Sequence, residues 1–152
     1  GAGDDANVTI LYTKCSVVKV LGDVCLYLYR FDANATLGVI MEIPKASFEI
    51  NVQLGVEPKE CMTDADLLVL LDLIPELAPY RKEIQRIIEV RGFIPGSIYS
   101  ECVRLYNVTT GPAPGEISGC LALDSNLMCW KKKCLHKGTT GFGCFHHNGT
   151  KA

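Results

Sequence analysis

The chain has 152 residues and a mass of 16.6 kDa, enough for one domain with a substantial core. Hydrophobic residues make up 48% and charged residues 21%, too apolar for a disordered chain. The longest apolar stretches, Val24 to Tyr29 and Leu67 to Leu71, fall far short of the roughly 20 residues of a membrane helix, and a net charge of -2 excludes a whole-chain electrostatic nucleic-acid binder.

The first half reads as β. Lys14 to Val20 is a strand candidate, and Cys25 to Phe31, apolar and aromatic on both faces, suits a more central strand. Leu37, Val39, Met41 and Ile43 make a third set ending at Pro44. In the fourth, Phe48, Ile50, Val52 and Leu54 alternate with Ser47, Glu49, Asn51 and Gln53. Breaks at Gly22-Asp23, Asp32 to Thr36 and Pro44-Lys45 predict an antiparallel meander.

The middle changes period. Thr63 and Asp66 resemble a capping box ahead of a short apolar helix from Leu67 to Ile74, stopped by Pro75. Pro79 suits the first turn of a second helix, with Tyr80, Ile84, Ile87 and Ile88 as its apolar stripe and Gly92 as its terminator. The last third returns to β, with one strand carrying Tyr99, Val103 and Leu105 and another carrying Ile117, Leu121 and Leu123. The turn Gly111-Pro-Ala-Pro-Gly115 divides them. The expectation is a single α+β domain spanning 1–152 with an ordered core from about 10 to 145: one antiparallel sheet of about five or six strands, a two-helix segment packed on it, and disulfides.

Cysteines and asparagines point to the compartment. Cys15, Cys25, Cys61, Cys102, Cys120, Cys129, Cys134 and Cys144 are an even set, and four disulfides are the simplest account. The zinc alternative needs Cys129, Cys134 and Cys144 with His136, His146 or His147, a spacing that lacks the C-x2-C knuckles of structural sites. Of six Asn, four open an N-x-T sequon, at Asn7, Asn34, Asn107 and Asn148, where chance gives about 0.6. Glycosylation is expected at all four, in a secreted protein. Gly1 follows no initiator methionine, in keeping with a removed signal peptide or a cloning remnant.

Motifs for catalysis are missing. There is no G-x-S-x-G, H-E-x-x-H, P-loop or G-x-G-x-x-G, so neither an enzyme nor a cofactor is expected. A ribonuclease-like set of two His and a Lys can be drawn only from His136, His146, His147 and Lys137. Adjacent His146 and His147 point to opposite faces of an extended chain and do not suit one metal ion. From Ser125 onward there is no acid, while Lys131, Lys132, Lys133, Lys137 and Lys151 give +5. Cys129-Trp-Lys-Lys-Lys-Cys134 reads as a constrained cationic loop for an anionic glycan or membrane surface, with a solvated turn as its plainer reading.

The cysteine flanks Cys102-x2-Leu105, Gly119-Cys120-Leu-x-Leu123 and Gly143-Cys144-Phe145 resemble a family of secreted, cysteine-rich arthropod proteins classed as a domain of unknown function, over about Cys15 to Phe145. The resemblance implies an extracellular invertebrate protein and carries no activity; Cys129 to Cys134 departs from its pattern. The expected function is non-enzymatic extracellular binding. A small apolar, lipid-like ligand between sheet and helices leads, and a structural or interaction glycoprotein that contacts macromolecules or anionic surfaces through the basic C-terminal region is the alternative. No nucleic-acid partner is expected.

Overall fold

The computed structural model describes residues 7–33, 35–52, 59–75, 78, 82, 89, 99–130 and 133–149, of which 51, 52, 64, 99, 127–130 and 133–136 are described by backbone alone. Strands β1 (Val8–Val18), β2 (Gly22–Phe31), β3 (Leu37–Ile43) and β4 (Ala46–Val52) form one antiparallel sheet in chain order. Strands β5 (Lys59–Cys61), β6 (Tyr99–Thr110), β7 (Ile117–Trp130) and β8 (Lys133–His147) form a second, again antiparallel and in chain order. One short helix, α1 (Asp64–Leu73), falls between β5 and β6. The Thr63 hydroxyl accepts from the Asp66 backbone N–H at 3.2 Å, as the capping pattern predicts, and the helix stops at Ile74 ahead of Pro75.

This corrects the α+β expectation. Among the described residues the fold is mostly β, with eight strands in two four-stranded sheets and one short helical element, α1. The stretch from Pro79 to Gly92, expected as a second helix, lies outside the described residues save Lys82 and Glu89, both of which are helical. The first sheet does not depend on helices to cover its apolar face, because a second sheet does so. Val24, Leu26 and Leu28 of β2 and Val39 and Met41 of β3 share one buried cluster with Val103, Leu105, Leu121, Leu123 and Phe142 of the second sheet. Fully burying each such side chain contributes about 1.5–3 kcal/mol. Leu67, Leu70 and Leu71 of α1 join the same cluster.

The sheets also meet at their edges, β1 with β8 and β4 with β5. Tyr12 stacks on Phe145 with ring centroids 5.4 Å apart, and its hydroxyl donates to the Phe142 carbonyl at 2.8 Å. Phe142 and Gly143 together oppose the single residue Leu121, a β-bulge between the pairs Cys120–Cys144 and Ala122–Gly141. Gly143 has φ +79, and a Cβ there would stand 2.7 Å from the Tyr12 hydroxyl; this position therefore demands glycine twice over.

Candidate binding surface

Three disulfides join Cys15 to Cys25, Cys61 to Cys102 and Cys120 to Cys144. In each the two cysteines are direct partners across an antiparallel ladder. All three occupy the strand phase opposite to the core side chains. Cys25 alternates with Val24 and Leu26, Cys102 with Val103, and Cys120 with Leu121. Cys129 and Cys134 are also direct partners, in the ladder of β7 and β8. The disulfides are consistent with an extracellular location; among the described residues no helix is long and apolar enough to cross a membrane.

Three of the four sequon asparagines are described, and all three are exposed. Asn7 immediately precedes β1 and Asn148 immediately follows β8. Asn107 lies inside β6, where Asn107 and Val108 together face Gly119 between the pairs Tyr106–Cys120 and Thr109–Ser118. Its φ is +54, a left-handed conformation that asparagine tolerates better than most residues. Asn34 lies outside the described residues.

Two of the basic residues, Lys133 and Lys137, lie on β8. Trp130 pairs with Lys133, so that only Lys131 and Lys132 connect β7 to β8. Lys131 and Lys132 themselves lie outside the described residues. Lys137 pairs with Asn126 and is exposed. Because β6 begins at Tyr99 opposite Leu127, the ends of β7 and β8 beyond that point pair only with each other among the described residues. His146 and His147 sit at the far end of β8. At about 3.3 Å per residue they are about 30 Å from Lys137, and the clustering of histidines with lysines suggested by the sequence does not occur for these two. His146 instead shares a hydrogen bond with Ser118 and lies 3.5 Å from Glu116; the ring of His147 accepts from the Gly149 N–H. Among the described residues no group of His, Cys, Asp or Glu has the arrangement of a metal site.

Sequence reasoning passed over the buried polar side chains of Glu101, Ser125 and Arg30. Glu101 and Ser125 are direct partners on the inner phase of β6 and β7, buried at 0% and 2% exposure. Ser125 donates to Glu101 Oε2 at 3.0 Å, and Oε1 has no hydrogen-bond partner among the described residues. Burial pushes the Glu101 carboxyl up to about 8; the Ser125 hydrogen bond opposes this and the charge of Asp124 adds to it. Arg30, in phase with Leu26 and Leu28, crosses from the first sheet to donate from Nη1 to the Gly115 carbonyl at 2.8 Å. Strict alternation was the available signal, since Glu101 shares the phase of Val103 and Leu105.

On the outer face of the second sheet, Asp124 gathers contacts from the three other strands. Arg104 Nε of β6 lies 2.9 Å from it, Lys59 Nζ of β5 3.5 Å and Thr139 Oγ1 of β8 2.6 Å. Arg104 also covers the Tyr106 ring at 5.0 Å. Burial alone would raise the Asp124 carboxyl, but Arg104, Thr139 and Lys59 together hold it below its ordinary range. The first sheet carries an open cleft of about 370 Å³ lined by Asp23, Cys25, Glu42, Pro44 and Ser47, among others. No protein family, curated protein or solved structure was found to match the chain.

Proposed function

We propose that this is a secreted, N-glycosylated, non-enzymatic interaction protein that engages anionic surfaces through the basic end of the β7–β8 hairpin. The observation that carries this reading is the occupancy of the interior. An apolar carrier needs an internal void, whereas Leu26, Leu28, Met41, Leu105, Leu121, Leu123 and Phe142 are each under 2% exposed between the sheets. A binding role then falls to the exterior. The sequence after Asp124, which contains no acid, carries Lys131, Lys132, Lys133 and Lys137 close together along the chain. The sequons at Asn7, Asn107 and Asn148, exposed in the fold, and the cysteine flanks resembling a secreted arthropod family support an extracellular invertebrate origin.

The test is retention on immobilised heparin, with anionic and neutral lipid vesicles in parallel. Binding at low salt should weaken steeply as salt rises, because exposed charges are screened over about 10 Å at 0.1 M. The variant Lys131→Ser, Lys132→Ser, Lys133→Ser should lose it without loss of fold. Equal retention of the variant, or no retention of the parent at low salt, refutes the reading. Native mass spectrometry that finds a co-purified lipid would restore the apolar carrier.

A further inference from the structure

We propose that Cys129 and Cys134 are joined by a fourth disulfide, which closes the β7–β8 hairpin one residue pair before its connection. The argument is one of register. Each of the other three disulfides links residues directly opposite in an antiparallel ladder, with Cα atoms 4.0, 3.9 and 3.9 Å apart. Those separations belong with the non-hydrogen-bonded class of cross-strand pair, at about 4.5 Å, and not with the hydrogen-bonded class at about 5.5 Å. Cys129 opposite Cys134 is the fourth pair of cysteines placed in direct register.

The hairpin gives it the same class. Two residues connect Trp130 to its partner Lys133, and in a two-residue hairpin the pair flanking the connection is hydrogen-bonded. The next pair outward, Cys129 with Cys134, is therefore of the non-hydrogen-bonded class, in which opposite side chains come closest. Elimination agrees, since the other six cysteines are already bonded to one another.

Formation is a thiol–disulfide exchange. The two thiols give up two protons and two electrons to an exogenous disulfide such as oxidised glutathione; that disulfide becomes two thiols as the single S–S bond forms. The inference does not depend on the anionic-surface reading, and either can fail alone.

The full-length oxidised protein, alkylated under denaturing conditions without reduction, should take up no label and lack all eight thiol hydrogens by intact mass. Non-reducing trypsin digestion, which cuts among Lys131, Lys132 and Lys133, should leave the Cys129 peptide joined to the Cys134 peptide, to be released on reduction. In Cys129→Ser a single thiol should become reactive, at Cys134. The double variant Cys129→Ser, Cys134→Ser should keep the other three linked peptides and the parent's near-ultraviolet circular dichroism. Labelling of Cys129 and Cys134 in the parent, either one joined to another cysteine, stoichiometric zinc, or no reactive thiol in Cys129→Ser would each overturn the proposal.

Discussion

The Tyr29 ring lies across Gly38, its direct partner in the ladder of β2 and β3, so closely that a Cβ on Gly38 would stand 2.4 Å from the ring and its hydroxyl. A tyrosine on the outer phase of the sheet is thereby left only 5% exposed, and Phe31 meets it edge-on with centroids 5.2 Å apart. An aromatic ring laid over a strand glycine replaces the packing that the glycine lacks. Gly38→Ala should force the ring aside and cost about 1–3 kcal/mol, read from urea denaturation. In a Tyr29→Ser background the same change should cost far less, and equal costs in both backgrounds would show that the two residues are not coupled.

Glu101 sets a pH dependence of unusual sign. Its folded-state value near 8 stands well above the ordinary 4.5, so the folded chain holds a proton that the unfolded chain releases. Stability from this group is full below about 4.5 and declines as pH rises through about 8, by up to about 5 kcal/mol. Glu101→Gln, which keeps the Ser125 contact without an ionisable group, should flatten that decline. Denaturant midpoints from pH 5 to 9 decide it; parallel curves for parent and variant would exclude Glu101 as the source.

Asp124 works in the opposite direction. Its carboxyl is held below the ordinary 3.8, so its contribution is present above that value and is lost as pH falls through the folded-state range. Asp124→Ala removes the acceptor shared by Arg104, Lys59 and Thr139 and should cost about 2 kcal/mol at neutral pH, with solvent exposure limiting the ion-pair share. The loss should shrink toward pH 2, which acid titration of both proteins measures.

At Asn107 the glycan and the backbone can be tested apart. Asp tolerates the left-handed conformation almost as well as Asn. Asn107→Asp, expressed through a secretory route, should lose one glycan by mass and keep its stability. Asn107→Val should lose the same glycan and also about 1–2 kcal/mol. No mass difference between parent and Asn107→Asp would mean that this sequon is not used.

The sequence discloses the first sheet well because β2, β3 and β4 follow each other through short breaks and keep a simple alternation. Leu37, Val39, Met41 and Ile43 are all buried, as that alternation requires. It discloses β8 poorly. Gly138, Gly141 and Gly143 interrupt that strand, and its bulge changes phase between Gly141 and Cys144. Periodicity is lost at the point where Phe142 turns into the core. The three residues of β5 are too few for any pattern, and without β5 and β8 the second sheet cannot be anticipated. For the surface, composition locates the lysines, but only the ladder shows that Trp130 pairs with Lys133 and Asn126 with Lys137.

Every described disulfide binds two strands of the same sheet: β1 to β2, β5 to β6, and β7 to β8. Among the described residues, no disulfide crosses between the two layers. Their adhesion rests on the shared apolar cluster, on Tyr12 reaching the β8 backbone and on Arg30 reaching Gly115. The layers can therefore part with all three staples intact, each layer keeping its strand register while its greasy inner surface is laid bare. Oxidation state and core exposure are thus separate variables in this molecule: a surfactant or an interface can open it without a reductant.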